Sequence, residues 1–336
     1  MTYTDYLNKL IAGTDLSADE TTDVMDQLMD GELTPAQVAA FITALRIKGE
    51  TTDEISAAAL SMRRHATRID AGPPPIVDTC GTGGDGSGTF NISTTAAFIA
   101  AGAGVKIAKH GNKSVSSQCG SADVLAALGV NLDITPDQVG DCVRNIGIGF
   151  LFAPKLHGAM KHAIGPRREL GVRTIFNMLG PLTNPAGATA QVIGVFDAAL
   201  TEVFAEVLNK MGSSRAMIVH GSDHLDEITL TGTTQVSELK DGKVETRQLD
   251  PQEYVGSLCS ADALKGGDAK VNAGILLDIL GGDEGPKADV AKLNAAAAIY
   301  VGGLADNLGA AYGKAGDAIE SGAAKQKLDD LVAATS

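Results

Sequence analysis

The sequence predicts an α/β protein in two parts. One is a small all-helical unit; the other is a larger α/β unit with a mainly parallel central sheet and helices around it. Three observations predict it. Helix start signals recur through residues 1 to about 70 with no strand pattern between them. The stretch GPPP at 72–75 then breaks that pattern. After it, short apolar runs alternate with helical stretches, the order that builds a parallel sheet.

In the helical part, Ser17 with Glu20, Thr34 with Gln37 and Thr51 with Glu54 each fit a capping box. Pro35 sits where a first-turn proline is favoured. Val38, Phe41, Ile42 and Leu45 make one apolar face at helical spacing. Beyond the proline break, PIVDTC reads as a strand and TTAAFIAAGAG as a helix. VKIA reads as the next strand, followed by helices near Ala122–Leu128 and from Pro136 after the cap Thr135. GFLFAP, AQVIGVF and RAMIVH are further strands, with the helix TEVFAEVLNKM before the last of them. TQVSELKDGKVETRQL alternates around Asp241-Gly242, a hairpin signal, and the tail from about Val271 is Ala-rich and helical. Residues 155–185 are basic and helical and fit the sheet pattern poorly. The expected division is therefore a helical domain over 1–72, completed by about 155–185, and an α/β domain over 73–154 and 186–336.

A chain of 336 residues can form one large or two modest domains. Its net charge of −14 and its 4% aromatic content, with no Trp, speak against a nucleic-acid surface, which needs massed Lys and Arg or stacking platforms. No apolar run reaches membrane-spanning length, and MTYTDYLNKL lacks the pattern of a signal peptide. Cys80, Cys119, Cys142 and Cys259 form no C-x-x-C pair, which suits a reduced, cytoplasmic protein and gives no zinc signature.

The chemistry concentrates in four stretches. DTCGTGGDGSGTFNISTT (78–95) contains G-x-G-x-x-G at Gly81, Gly83 and Gly86. A dinucleotide site also expects a carboxylate about 20 residues on, and AGAGVKIA at 101–108 has none. G-x-x-x-x-G-K-[ST] is absent as well. What remains is an anion cradle, in which bare backbone amides approach oxygens and Asn91, Ser93, Thr94 and Thr95 stand at a helix start. A tight, capped strand-to-helix turn is the alternative. KHGNKSVSSQCGSAD (109–123) supplies Lys109, Lys113, His110, Asn112, Ser114, Ser116, Ser117 and Ser121, donors suited to phosphate and sugar oxygens. Alone it could be a solvated turn, but two such loops after successive strands belong at one carboxyl edge. HGSDHLDEIT (220–229) offers Asp223, Asp226 and Glu227, either a solvated acidic turn or hard oxygen ligands for Mg²⁺. GPRREL gives Arg167 and Arg168, with Arg173 near; a guanidinium fork matches a carboxylate, or the group is a solvated basic patch. His157 and His162 read as packing or capping residues, and nothing marks Cys119 as an activated thiolate.

Together, DTCGTGGDGSGTFNIST, KHGNKSVSSQCGSADVLAALGV, RTIFNMLGPLTNP and LDEIT resemble the anthranilate phosphoribosyltransferase family, in order and over essentially the whole chain. The resemblance implies transfer of phosphoribose from phosphoribosyl pyrophosphate (PRPP) to the amine of anthranilate in tryptophan biosynthesis. It implies Mg²⁺, two ions per monomer, and a homodimer built through the helical parts. It places Gly81, Thr82, Gly84, Asp85, Thr89, Asn91, Ile92, Ser93 and Thr94 at PRPP, with Lys109, His110, Gly111, Asn112, Lys113, Ser114, Val115, Ser116, Ser117 and Ser121. Gly81, Asn112 and Arg167 would meet anthranilate, and Ser93, Asp226 and Glu227 would hold metal. His224, where glycine is expected, and Cys119 depart from the family pattern. A pyrimidine nucleoside phosphorylase is the nearest alternative enzyme, and a nucleic-acid-binding relative the non-enzyme one; the −14 charge argues against the latter.

Overall fold

The structure, a computed structural model, describes residues 1–114 and 118–336. Four helices open the chain, at Tyr3–Ile11, Ala18–Asp30, Pro35–Lys48 and Thr52–His65. All three expected capping boxes form. Glu54 does more than cap. It is fully buried, accepts the Thr51 and Leu16 amides at 2.8 and 3.0 Å, and pairs with Lys48 at 2.8 Å, so one carboxylate joins three segments.

The sheet has seven strands: β1 Val77–Gly81, β2 Ile107–Gly111, β3 Ile148–Phe152, β4 Ala190–Gly194, β5 Arg215–Gly221, β6 Thr234–Lys240 and β7 Lys243–Leu249. Their order is β3-β2-β1-β4-β5-β6-β7. The first five run parallel, and β6 and β7 add an antiparallel hairpin. Asp241 and Gly242 turn that hairpin at φ 51° and 74°, the left-handed pair a tight turn needs. The strands β1 to β5 are covered on both faces, which is why they read as apolar runs rather than as alternation.

On one face, helices Ile92–Gly102, Pro286–Val301, Leu308–Glu320 and Ala323–Thr335 pack into one apolar cluster with Val77, Ile107 and Val192. On the other, Leu200–Lys210 lies between the sheet and Thr52–His65. The core there runs from Ile193 and Ile218 through Phe204 and Leu208 to Phe41, Leu45 and Ile55. Helix Lys161–Leu170 leaves the sheet and packs on Pro35–Lys48, and Phe176–Leu182 packs on Thr52–His65.

The chain runs β1, β2, β3 toward one edge and then returns to start β4 on the other side of β1. The strand order therefore reverses between β1 and β4, and the crevice at their carboxyl ends is where such sheets hold ligands.

Gly102 shows how tightly the first face is packed: a Cβ there would lie 2.6 Å from the Ala324 nitrogen. Gly102→Ala is expected to cost about 1–3 kcal/mol by overpacking two helix backbones. Urea unfolding followed by circular dichroism reads this; an unchanged midpoint would contradict the close approach.

Candidate functional site

The site is built around two glycines. Gly81 ends β1, Gly194 ends β4, and they are partners in the parallel ladder. A Cβ on Gly194 would fall 1.5 Å from the Asp226 carbonyl oxygen, and one on Gly81 would fall 2.5 Å from Asp226 Oδ2. The missing side chains let the segment after β5 descend onto the switch point. Asp226 and Glu227 arrive there from far along the chain. Asp226 Oδ2 accepts the Gly83 amide at 2.8 Å, and Glu227 Oε1 accepts the Ser93 amide at 3.0 Å.

The glycine loop is pinned at three successive residues. The Thr82 amide donates to the Gly194 carbonyl at 2.9 Å while its hydroxyl accepts the Phe196 amide at 3.0 Å. Gly83 is held by Asp226, and the Gly84 carbonyl accepts from Arg173 Nη2 at 2.7 Å. Gly83, Gly84, Gly86 and Gly88 all have positive φ, a run that only glycine adopts without strain. Asp85 closes a small turn on Ser87 (2.7 Å), and Thr89 bridges to Lys265. Asn91 precedes helix Ile92–Gly102 without capping it by its side chain; its Oδ1 accepts from Asn272 at 3.0 Å instead. Ile92 is buried, and the buried Thr94 hydroxyl has no partner among the described residues.

Strand β2 extends further than the sequence pattern suggested, through Lys109, His110 and Gly111, which read as loop. The physical reason is that Lys109 is buried with its charge satisfied: Nζ donates to the Thr79 carbonyl and, at 3.3 Å, to Ser93 Oγ. β1 and β2 stay in ladder register only at Val77 and Ile107. Beyond that pair, side chains fill the space between them. The fully buried Asp78 accepts the His110 amide at 2.9 Å and Asn184 Nδ2 at 2.8 Å, and Asn184 also donates to the Ala108 carbonyl at 2.8 Å. Burial lowers the Lys109 pKa, opposed first by the charge of Asp78. Sequence reasoning missed both Asp78 and Asn184. A carboxylate inside an otherwise apolar strand was the available signal, since buried acids are kept only with partners.

On the second loop, Gly111 packs where a Cβ would meet Ser121 Oγ at 2.2 Å. Asn112 and Lys113 are exposed, and Ser121 donates to the Asn112 carbonyl at 3.3 Å. The Ser114 amide donates to Asp123 at 3.0 Å. Val115, Ser116 and Ser117 lie outside the described residues. Arg167 is half-buried, 5.2 Å over the Phe176 ring, and burial lowers its pKa.

The acidic segment divides. Asp223 is exposed and accepts from the Thr229 and Thr231 hydroxyls at 2.8 and 2.6 Å, so it shapes the loop. His224 holds φ 69°, left-handed backbone at the position where the family pattern has glycine. Asp226 and Glu227 instead reach the switch point, where they accept the Gly83 and Ser93 amides. Burial, then the charge of Asp85, pushes Asp226 up to about 6. Burial, then Asp226 itself, pushes Glu227 up to about 8. Crowded carboxylates of this kind suit a hard divalent cation. Among the described residues no group of three or more His, Cys, Asp or Glu side chains could hold a metal alone. A cation here would complete its shell with substrate oxygens, as Mg²⁺ commonly does.

A crevice at a switch point, lined by a glycine loop, a helix N-terminus and paired acids, defines a class that handles phosphorylated small molecules. Comparison narrows it. Residues 4–66 match the helical bundle domain of the glycosyl transferase family, and residues 73–325 match its α/β domain. An anthranilate phosphoribosyltransferase of Acetivibrio thermocellus is 53% identical over 97% of this chain and 94% of its own length. The crystal structure of the Thermus thermophilus enzyme of that name superposes with a TM-score of 0.94 at 42% identity, covering 98% of this chain and 99% of that one. The Saccharomyces cerevisiae enzyme, solved with PRPP and Mg, gives 0.90 at 30%, covering 99% and 97%. The chain belongs to the anthranilate phosphoribosyltransferases of the glycosyl transferase family.

Behind β2 sits a histidine pair. His110 Nδ1 faces the Gly180 carbonyl at 3.2 Å and must carry the proton. Its Nε2 then accepts from His157 Nε2–H at 3.1 Å. Burial, then His157, depresses His110 to about 3, and burial depresses His157 to about 4. Both rings stay neutral when folded, while unfolded histidine titrates near 6.5. Their contribution to stability is present above pH ~6.5 and is lost as pH falls toward the folded values. The unfolding free-energy gap between wild type and His157→Gln is expected to shrink by about 2 kcal/mol from pH 7 to pH 5. A gap constant over that range, in chemical denaturation, would refute the neutral pair.

Proposed function

We propose that this protein transfers the phosphoribosyl group of PRPP to the amine of anthranilate, giving N-(5-phosphoribosyl)anthranilate and pyrophosphate. The reading is carried by one observation: amides of the glycine loop (Gly83) and of the helix start (Ser93) converge with the Asp226–Glu227 carboxylates on a single crevice. Gly81, Thr82, Gly84, Asp85, Thr89 and Asn91 to Thr94 hold the diphosphate and ribose from one side. Lys109 to Ser114 and Ser121 hold them from the other. Arg167 takes the anthranilate carboxylate in a planar fork, with Asn112 and Gly81 beside the ring.

The acceptor amine is neutral at pH 7, so attack needs no strong base. The chain's task is alignment of the amine with the anomeric carbon, and stabilisation of charge on the departing diphosphate. Backbone amides at the start of helix Ile92–Gly102 and the buried Lys109 charge bear on that growing charge. The donor set fits Mg²⁺: Ser93, Asp226 and Glu227 offer hard oxygens in two overlapping groups, Ser93 with Glu227 and Asp226 with Glu227, for two ions. Held there, Mg²⁺ would supply positive charge against the diphosphate leaving group.

Residues 1–72 with 155–185 form one domain in this reading, supported by the packing of Lys161–Leu170 on Pro35–Lys48. Exposed Ile11, Ile47 and Ile164 on those helices offer apolar surface for a homodimer. The four free cysteines suit a reducing cytoplasm.

Asp226→Asn and Glu227→Gln are each expected to lower turnover about 10²–10³-fold with an unchanged melting profile. Full turnover in both, at saturating PRPP and limiting Mg²⁺, would sink the assignment. Arg167→Ala should raise the KM for anthranilate far more than that for PRPP, about 10-fold or above for loss of a charged contact. Anthranilate fluorescence decay measures both constants, and equal effects would remove Arg167 from the acceptor side.

A further inference from the structure

Arg173 makes an unusual pair of contacts. Its guanidinium carbon lies 3.9 Å from the centroid of the Phe196 ring, and its Nη2 donates to the Gly84 carbonyl at 2.7 Å. The guanidinium reaches so close to the loop backbone that a Cβ on Gly84 would sit 2.9 Å from Nη2. Phe196 is itself tied to the loop, through its amide and the Thr82 hydroxyl. Of the four hydrogen bonds that pin residues 82–84, three come from the β4 and β5 ends of the sheet. Only Arg173 comes from the segment that follows helix Lys161–Leu170, the helix bearing Arg167.

We infer that Arg173 is a positioning residue that couples the two halves of the site: ordering the acceptor side through Arg167 sets the glycine loop for the diphosphate, and the reverse. The inference rests on the proposed reaction, because it takes residues 82–84 as the diphosphate side and Arg167 as the acceptor side. The physical link is short. Arg167 and Arg173 flank the Gly171 turn, whose φ of 62° ends the helix, so six residues of chain join the two positions. The stack on Phe196 fixes the plane of the Arg173 fork, and the Gly84 carbonyl fixes its end. Coupling of two binding events is reciprocal, so either substrate should tighten the other by the same factor.

The test measures that factor directly. Calorimetry gives the Kd of Mg–PRPP for the full chain with and without saturating benzoate, a carboxylate ring that lacks the nucleophilic amine and cannot react. In wild type, benzoate is expected to tighten PRPP about fivefold, at the modest end of coupling for a solvent-exposed link. In Arg173→Ala the factor should fall to about one with the melting profile close to wild type; the Kd of PRPP alone rises as the loop loses a pin, but the factor, a ratio of two PRPP Kd values for the same variant, is independent of that rise. Arg173→Lys keeps a donor for Gly84 but not the planar stack, and should retain an intermediate factor. A wild-type factor of one, or an undiminished factor in Arg173→Ala, overturns the inference and leaves the reaction standing. Failure of wild type to bind PRPP at all would overturn the reaction itself.

Discussion

The whole arrangement depends on a close backbone approach. The Asp226 main chain lies over Gly194 and the Asp226 carboxylate over its ladder partner Gly81, each at a distance that no β-carbon tolerates. Because the segment can descend there, two carboxylates enter the switch point and face amides from a loop and a helix start. Neither the loop nor the acidic segment could form this cleft alone. The loop's positive-φ glycines have little preference for one shape, and the pins from Gly194, Asp226 and Arg173 choose it.

The other wall depends on a buried polar network. Asp78, Asn184 and Lys109 replace the β1–β2 ladder above Val77 and hold the two ligand-facing strand ends apart. The same region satisfies the last carbonyls of helix Phe176–Leu182. His110 takes Gly180, Gln191 takes Pro181 at 2.9 Å, and Arg63 takes Leu182 at 2.7 Å. Helix ends leave such carbonyls without partners, and here three different elements supply them. Arg63 comes from the N-terminal helices, so the end of helix Phe176–Leu182 is joined to the helical unit. Buried networks of this kind specify one geometry because any missing member leaves a neighbour unsatisfied.

Electrostatics explain how an acidic protein can serve anionic substrates. The net charge is −14, yet Lys155, Lys161, Arg167, Arg168 and Arg173 fall within one short stretch with a single acid, Glu169. Positive charge such as the Arg173 guanidinium beside Gly84 can draw in anions although the surface as a whole repels them. Inside, the raised pKa values of Asp226 and Glu227 mark carboxylates that favour either protons or a cation.

Much was legible from residue order alone. The capping boxes at Ser17, Thr34 and Thr51, the Asp241-Gly242 hairpin and the glycine loop each state a local rule that the chain obeys nearby. The pairing of the acidic segment with a cation was legible only as a possibility, and Asp223 could not be separated from Asp226. The end of β2 was misread because a lysine in a buried strand is unreadable until its partners, Thr79 and Ser93, are known. Local sequence thus determined the helices, the turns, the strand-helix alternation and the inventory of donors. Only the tertiary structure decided which strands adjoin, that Gly194 clears space for Asp226, and that Asn184 reaches Asp78, Arg63 the Leu182 carbonyl and Arg173 the Gly84 carbonyl. Those contacts join residues a hundred or so positions apart, and their energies depend on distance and burial, which spacing along the chain does not encode.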